Sequence, residues 1–434
     1  MAGIFGIVSK NRCVEDLVLG TFYLQHRSQE YCGIGLKENG TLKEYPHKGL
    51  VKSVFTDEYL KNLRGNYGLG CVSNYRQPIS GLSGQGGAIL CFDGKIINSI
   101  ALRNEMLTKN KMCFSGYSSL DEVNDSALIS EIVFSEKNFE KGIEKLIELM
   151  KGDFAIVSLA KKGIYAARGW GRKPLVLGVK GKDYAVSSES TSFENTGFEI
   201  FRDVKPGEVI LLNEDGISNI KQFDLTPVKY GTFEWVYTSY PSSIIDARNV
   251  WEVRSNLGKL LAERYPVDAD FVSPIPNSGR GYAMGFSKKS GIPYEEVFIR
   301  YDYSDRSFTP AKQEFRDKEA RTKLIPLRQK VTGKKIILLD DSIVRGTQML
   351  NRVLRLKELG AKEVHVRIGC PPLKKSCGFG YSIKENEECI ATRMNLESIR
   401  KSLQLDSLGY ALVEDLEKAI GFSRKHLCLS CWGL

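Results

Sequence analysis

Short apolar runs alternate with polar residues along most of the first 230 positions, which is the pattern of half-buried strands. The stretches at 156–169 and 184–193 predict strands joined by turns. One amphipathic stretch, LVLGTFYLQHRSQE at 17–30, predicts a helix. Together these elements predict an α+β layered domain over residues 1–230.

The remainder of the chain, 231–434, changes to strands that alternate with helices. Residues 250–265 carry a helical apolar face, and DFVSPIP at 270–276 predicts a strand. Four consecutive aliphatic residues, 336–339, predict a strand that is buried on both faces. This order predicts an α/β domain with a mostly parallel sheet.

The strand at 336–339 ends in two carboxylates, Asp340 and Asp341, followed by a polar turn with Gly346 and then a helix. Backbone N–H groups at a helix N-terminus favour a phosphate, and glycine allows close approach. Paired carboxylates can accept hydrogen bonds from vicinal hydroxyls or hold Mg²⁺. The combination predicts a site for a ribose 5-phosphate.

Net charge, the lengths of apolar runs and the cysteine content limit the kinds of partner and the cellular location that we expect. The net charge of the 434 residues is +10, but lysines and acids are interspersed, which favours a solvated surface and makes a nucleic-acid partner unlikely. The chain lacks an 18-residue apolar run and a signal pattern, so we expect no membrane span and a cytoplasmic location. Ten cysteines then indicate free thiols or a metal site.

The segment DDSIVRGT resembles the signature of type I phosphoribosyltransferases, and more specifically that of glutamine phosphoribosylpyrophosphate amidotransferases. The resemblance implies Mg²⁺ at Ser278, Asp340 and Asp341. It implies a binding site for phosphoribosyl pyrophosphate (PRPP) made of Asp340, Asp341, Ser342, Val344, Arg345, Gly346 and Thr347, with Asn277 and Ser278 from a second loop and Arg306, Gln313 and Arg316 from a lid.

Two parts of this second domain depart from the family pattern. Asn277 replaces the acid of the pyrophosphate loop, although an amide still accepts and donates hydrogen bonds. In the lid, expected over 300–323, Arg300 stands for a lysine and Asp302 for an arginine. A carboxylate that faces the negatively charged pyrophosphate is unfavourable. The altered lid therefore leaves two possibilities: the enzyme uses a different acceptor substrate, or the lid closes in a different way.

The first 230 residues resemble the N-terminal-nucleophile, type 2 glutaminase fold through GIFGIV, LQHRSQE, ESTSF and RDVKPGE. The family's nucleophilic cysteine falls on Ala2, which has no nucleophile. Its asparagine-glycine pair falls on Asp93-Gly94, and its histidine and arginine fall on Cys71 and Ser73. Only Asp125 matches, so we expect the glutaminase activity to be lost.

Three C-terminal cysteines, Cys377, Cys428 and Cys431, match three of four ligands of an iron–sulfur cluster found in many family members. The fourth position falls on Gly231. Three outcomes stay open: a cluster with an open iron, a cluster completed by Cys370 or Cys389, or free thiols. We expect Cys13, Cys32, Cys71, Cys91 and Cys113 to be ordinary buried or surface thiols.

The resemblance implies an amidophosphoribosyltransferase-like enzyme of purine nucleotide biosynthesis that displaces pyrophosphate from PRPP with ammonia to give 5-phosphoribosylamine. One alternative is transfer to another amine or to a base. A further alternative is a catalytically silent subunit or regulator that senses PRPP. By resemblance we expect a homo-oligomer, which a separate glutaminase or an active relative could accompany.

Overall fold

The structure is a computed structural model that describes residues 1–108, 124–302, 323–380 and 386–434. The chain divides into two compact units. The first comprises Met1–Gly231, Ser242–Ala247 and Gly378–Tyr381; the second comprises Thr232–Pro241, Arg248–Cys377 and Ser382–Leu434.

Strands dominate the first unit: β1 (Ala2–Val8), β2 (Tyr31–Glu38), β3 (Thr41–Lys48), β4 (Tyr67–Ser73), β5 (Ile79–Ser83), β6 (Gly86–Ile96), β7 (Gly152–Ala160), β8 (Gly163–Arg168), β9 (Val176–Lys180), β10 (Asp183–Ser187), β11 (Glu199–Asp203), β12 (Glu208–Asn213), β13 (Gly216–Gln222) and β14 (Ile244–Ile245). Its α-helices are α1 (Val14–Phe22), α2 (Val51–Val54), α3 (Asp57–Leu60), α4 (Ser99–Thr108), α5 (Asp125–Phe134) and α6 (Phe139–Leu149). Single 3₁₀ turns cover Ser190–Ser192 and Glu194–Thr196.

Two antiparallel sheets pack face to face in this unit. Their strand orders are β11-β9-β10-β1-β4-β2-β3 and β13-β12-β8-β7-β6-β5. Strand β1 shows how the layers arise, because Ile4 and Val8 point into the core between the sheets while Phe5 and Ile7 point toward α1. Helices α5 and α6 cover the outer face of the second sheet. The predicted α+β layering is confirmed.

Helix α1 is shorter than the sequence pattern predicted. The prediction of a helix over 17–30 was wrong beyond Phe22, where the helix ends. The chain continues in turns, with the backbone N–H of Arg27 donating to the carbonyl of Leu24 at 2.9 Å. Leaving the helix lets His26 and Arg27 place their side chains on the buried carboxylate of Glu189, and those contacts outweigh the helical pattern.

The second unit alternates strands and helices: β15 (Arg248–Asn249), β16 (Phe271–Pro274), β17 (Phe298–Arg300), β18 (Leu324–Pro326), β19 (Lys335–Asp340), β20 (Glu363–Ile368) and β21 (Ser407–Tyr410), with α7 (Val250–Arg264), α8 (Arg280–Ser290), α9 (Arg328–Val331), α10 (Thr347–Glu358), α11 (Leu396–Ser402) and α12 (Val413–Ile420). A π-helix covers Glu234–Thr238, and 3₁₀ turns cover Asn386–Glu388, Ile390–Thr392, Arg424–His426 and Ser430–Trp432. In the ranges that the structure describes, no helix is both long and apolar enough to cross a membrane.

The second unit is built on a parallel sheet of order β16-β19-β20-β21. Strand β19 lies between two neighbours, and its residues 336–339 are completely buried, as the aliphatic run predicted. In a parallel sheet all the carboxyl ends meet at one edge, so the loops after β16 and β19 emerge side by side. Helices α7 and α8 pack together, and α8 contacts both of these strands.

Gly279 lies where the loop after β16 crosses the end of β19. A Cβ atom there would lie 2.1 Å from the carbonyl oxygen of Leu339 and 2.8 Å from the backbone nitrogen of Ile275. Both neighbours are backbone atoms and cannot rotate away. Glycine is therefore required by space, since its φ of −73° is open to any residue.

We predict that Gly279→Ala lowers the free energy of unfolding of the second unit by about 3 kcal/mol, because the added methyl group clashes with two strands' backbone. Gly291→Ala is the matched control: it has φ +75° and open space around it, and should cost only about 1 kcal/mol. Urea unfolding followed by tryptophan fluorescence measures both. Equal midpoints for the two variants would contradict the crowding argument.

Candidate functional site

The predicted acid pair lies at the carboxyl edge of the parallel sheet. Asp340 is the last residue of β19, and Asp341 follows it. The loop after β16 brings Ser278 alongside, where its hydroxyl donates to Asp340 Oδ1 at 2.9 Å. The loop after β16 thus meets the end of β19, and this hydrogen bond joins two predicted site residues that are 62 positions apart in sequence.

The turn between β19 and α10 has the geometry of an anion cradle. Gly346 adopts φ +82°, a left-handed conformation that favours glycine, and α10 begins at Thr347 without a side-chain cap. The positive end of the helix dipole therefore faces the turn. The carbonyl of Val344 accepts from the N–H of Ile390 at 2.8 Å, and Arg345 pairs with Glu388 at 2.8 Å, so both contacts anchor the turn to the segment 388–390.

The two acids are almost completely buried, with 6% of Asp340 and 4% of Asp341 exposed. Burial and the adjacent Asp341 carboxylate raise the pKa of Asp340 well above its ordinary value. Two donors oppose this effect: the Ser278 hydroxyl and the Arg352 guanidinium, which lies 3.2 Å from Asp340 Oδ2. Ser342 donates its hydroxyl to Asp341 Oδ2.

The oxygen atoms of Ser278, Asp340 and Asp341 form the kind of donor set that Mg²⁺ prefers. Of the two acids, Asp341 keeps more acceptor capacity, because Asp340 already accepts from three groups. These residues therefore fit a magnesium ion that other oxygen ligands complete.

The lid residues Arg306, Gln313 and Arg316 lie outside the described residues. The described part of this segment ends with Arg300 and Asp302, whose charged groups are 3.9 Å apart. Asp302 is 86% exposed at its side chain. Its carboxylate is thus paired within its own segment.

A buried charge network fills the first unit around Ala2. The backbone N–H of Ala2 donates to Asp93 Oδ1 at 2.8 Å, and its carbonyl accepts from Arg27 at 2.8 Å. The same guanidinium reaches Asp93 Oδ2 at 3.1 Å and Glu189 Oε1 at 2.5 Å. Glu189 also accepts from Ser243 at 2.8 Å and contacts His26 at 2.8 Å.

Charges keep both acids of this network ionised. Burial alone would raise the pKa of Asp93, but the cations of Lys173 and Arg27 hold it below its ordinary value. The pKa of Glu189 is likewise depressed, because His26 and Arg27 outweigh its burial. Asp93 is therefore an acceptor in this position and has no proton to offer an oxyanion.

The other two replaced positions do not form a substrate clamp. Cys71 is completely buried between the two sheets, where its thiol lies beside that of Cys91. Ser73 pairs with Ala2 in the sheet, and its hydroxyl turns to the carbonyl of Tyr75. Neither side chain supplies a cation for a carboxylate ligand.

Asp125, the one matching position, begins α5 and is 3% exposed. Its Oδ2 accepts from the N–H of Ile96 at 3.1 Å and pairs with the ammonium group of Lys95 at 2.9 Å. The ammonium group of Lys95 thus pairs with one oxygen of Asp125, the acid for which the family resemblance implies a contact with the amino group of the substrate.

Sequence reasoning missed Arg27, Glu189, Lys173 and Arg352 as members of these sites. Arg27 and Glu189 lie in segments that carried the family resemblance, LQHRSQE and ESTSF, but only the fold shows that they meet. For Arg352 a signal existed: it is one helical turn beyond Gln348, on the face that begins at the phosphate turn.

Four of the five cysteines considered for a cluster lie close together: Cys370, Cys377, Cys428 and Cys431. A hydrogen bond with Cys377, burial, and the charges of Cys377, Cys428 and Cys370 all raise the pKa of Cys431. Cys389 lies elsewhere, beside Glu388. Among the described residues, no three His, Cys, Asp or Glu side chains are arranged to hold a metal ion. None of the nine described cysteines forms a disulfide, and Cys113 lies outside the described ranges.

We predict that Arg27→Met destabilises the first unit by about 3–5 kcal/mol at pH 7, because it leaves Asp93 and Glu189 buried without their shared cation. The loss should shrink as the pH falls below about 4.5, since the depressed pKa of Glu189 contributes stability only while the carboxylate is ionised. Thermal unfolding over a pH series measures both effects.

Arg76→Met is the control for this variant. Arg76 makes an exposed pair with Glu44 at 3.5 Å, and its loss should cost less than about 1 kcal/mol. If both variants lose the same stability, the buried network does not have the importance that its geometry indicates.

Comparison with known proteins finds relatives that cover nearly the whole chain. A family profile described as "Glutamine amidotransferase domain" matches residues 57–195. The amidophosphoribosyltransferase of Methanocaldococcus jannaschii is 37% identical, covering 99% of this chain and 96% of that protein. That of Bacillus subtilis is 32% identical, covering 99% and 92% respectively.

Solved structures give the same result. The B. subtilis glutamine PRPP amidotransferase, complexed with ADP and GMP, superposes with a TM-score of 0.90 at 32% identity, covering 99% of this chain and 96% of that one. This likeness confirms the predicted fold class, a glutaminase-type layered domain followed by a type I phosphoribosyltransferase domain. The chain belongs to the amidophosphoribosyltransferase family, whose members are phosphoribosyl-transferring enzymes of purine biosynthesis.

Proposed function

We propose that the chain transfers the phosphoribosyl group of PRPP to ammonia, giving 5-phosphoribosylamine and pyrophosphate. The observation that carries the proposal is the Ser278–Asp340 hydrogen bond, which joins two loops at the edge of the parallel sheet beside an uncapped helix N-terminus. That edge combines acids for a ribose with donors for phosphates. The names of the relatives support the same reaction.

Each group at this edge has a distinct task in the proposal. The turn Ser342–Thr347 holds the 5-phosphate through backbone N–H groups and hydroxyls. Asp340 and Asp341 accept hydrogen bonds from the ribose hydroxyls, which stabilises positive charge that develops at the anomeric carbon. Asn277 and Ser278 bind the pyrophosphate, and the lid residues Arg306, Gln313 and Arg316 exclude water.

Magnesium, when bound, neutralises the pyrophosphate leaving group. Ser278, Asp340 and Asp341 are the side chains that would hold it. The attacking ammonia is already a nucleophile, so the reaction needs no covalent intermediate with the protein.

We propose that ammonia comes from solution or from a separate glutaminase and not from glutamine in the first unit. Three features support this: Ala2 offers no nucleophile, Asp93 is an ionised acceptor, and Lys95 already pairs with Asp125. The first unit, with a domain boundary near residue 231, would then serve folding and assembly into a homo-oligomer.

The altered lid favours a second candidate, transfer from PRPP to another amine or to a base. The exposed Asp302 motivates this candidate, because a carboxylate in the lid segment would attract a cationic acceptor. A panel of amine acceptors that supports faster pyrophosphate release than ammonium would select this alternative.

Pyrophosphate release from PRPP tests the proposal directly. With Mg²⁺ present, we expect release with ammonium chloride and only background with glutamine or with no nitrogen donor. Asp341→Asn should lower kcat/KM about 10–100-fold, because it removes charge-assisted hydrogen bonds to the ribose. Release that is absent under every condition would favour a silent subunit or regulator.

Restoring the nucleophile tests the loss of glutaminase activity. We predict that Ala2→Cys alone gives no glutamate from glutamine, since Asp93 still cannot donate to the oxyanion and Ser73 cannot clamp a carboxylate. The triple variant Ala2→Cys, Asp93→Asn, Ser73→Arg is the informative comparison. Glutamate release by wild-type protein or by Ala2→Cys alone would contradict the prediction.

An iron–sulfur cluster at Cys377, Cys428 and Cys431 is a separate proposal, which no step of the reaction requires. The described chain offers these thiols together with Cys370, and glycine stands at the fourth family position. Iron and sulfide analysis of protein purified without oxygen, compared with Cys428→Ser, distinguishes a cluster from free thiols.

A further inference from the structure

Arg352 reaches the acid pair from the middle of α10. Its Nη1 lies 3.2 Å from Asp340 Oδ2, and its Nη2 donates to Gln348 Oε1 at 3.2 Å. Gln348 is one helical turn nearer the phosphate turn and steadies the guanidinium. The Arg352 side chain is 21% exposed, so its charge is only partly screened by water.

Asp340 and Asp341 differ in how many further hydrogen bonds each carboxylate can accept. A carboxylate has about four lone-pair positions. Asp340 uses three of them, for Ser278, for the N–H of Asp341 and for Arg352, whereas Asp341 accepts the hydroxyl of Ser342. Asp340 is therefore held in place by the protein, and Asp341 presents its carboxylate to a ligand.

Arg352 also sets the charge of the pair. Of the lysines and arginines in the described residues, Arg352 is the one within ion-pairing distance of Asp340 or Asp341. Without it, two adjacent carboxylates would attract a divalent cation strongly. With it, one negative charge is already compensated by the guanidinium 3.2 Å away.

We propose that Arg352 is a positioning residue that substitutes for a cation at the acid pair. The ligand-free protein then holds no divalent cation on Asp340 and Asp341. This inference rests on the proposed function for the role of the acid pair in binding a substrate. Its consequence for the free protein, weak binding of divalent cations, needs no substrate.

Mn²⁺ binding to the full chain, followed by the electron paramagnetic resonance signal of free Mn²⁺, tests the proposal without turnover. We expect weak binding by wild type and at least ten-fold tighter binding by Arg352→Leu, because a repelling charge has been removed. Arg355→Leu is the matched control: it removes an exposed arginine from the same helix, one that pairs with Glu358, and should behave as wild type.

A second substitution locates the gained site. Adding Asp341→Asn to Arg352→Leu should return Mn²⁺ binding to the wild-type level. Arg352→Gln, which keeps a hydrogen-bond donor without charge, should give the same gain as Arg352→Leu and covers the case in which the leucine variant does not fold. Circular dichroism and thermal unfolding check the folding of each variant.

Unchanged Mn²⁺ affinity in folded Arg352→Leu or Arg352→Gln would overturn the proposal, as would tight binding by wild type or an equal gain in Arg355→Leu. The result is independent of the proposed reaction, since a chain that releases no pyrophosphate can still show the gain. Conversely, an active chain whose Arg352 variants bind Mn²⁺ like wild type would disprove only the role of Arg352.

Discussion

A carboxylate that is removed from water must be given cations or hydrogen-bond donors, and both units of this chain are arranged around that requirement. In the first, the guanidinium of Arg27 lies between Asp93 and Glu189. In the second, Ser278 and Arg352 hold Asp340 beside Asp341. The same chemistry leads to opposite results, because one cluster satisfies its charges internally and the other keeps acceptors for a ligand.

This difference is the basis of our proposal that the two units differ in activity. Asp93 receives the N–H of Ala2 and two cations, and Asp125 receives Lys95, so the first unit is stabilised as a folded layer with its charges paired. Among the described residues, the hydroxyl of Ser342 is the one side-chain donor to Asp341. In our proposal this carboxylate binds the hydroxyls of a ribose at the carboxyl edge of the sheet, next to the positive end of α10.

Much of the fold was predictable, since strand β19 and the turn to α10 have strong local signals: an aliphatic run, two acids and a glycine at positive φ. The resemblance supplied the domain order. Local patterns failed where distant contacts decide, as at α1, which stops at Phe22 so that His26 and Arg27 can reach Glu189 about 160 positions later. The pairing of Arg352 with Asp340 was missed because helix periodicity indicates a face but not the partner that the face meets.

We propose that phosphoribosyl transfer and glutamine hydrolysis are uncoupled in this chain. The most direct test of this proposal is one reaction that contains PRPP, Mg²⁺, ammonium and glutamine together, in which pyrophosphate and glutamate are quantified at the same time points. We expect pyrophosphate to accumulate while no glutamate is formed. One glutamate formed for each pyrophosphate would contradict it and show that the first unit still supplies the nitrogen.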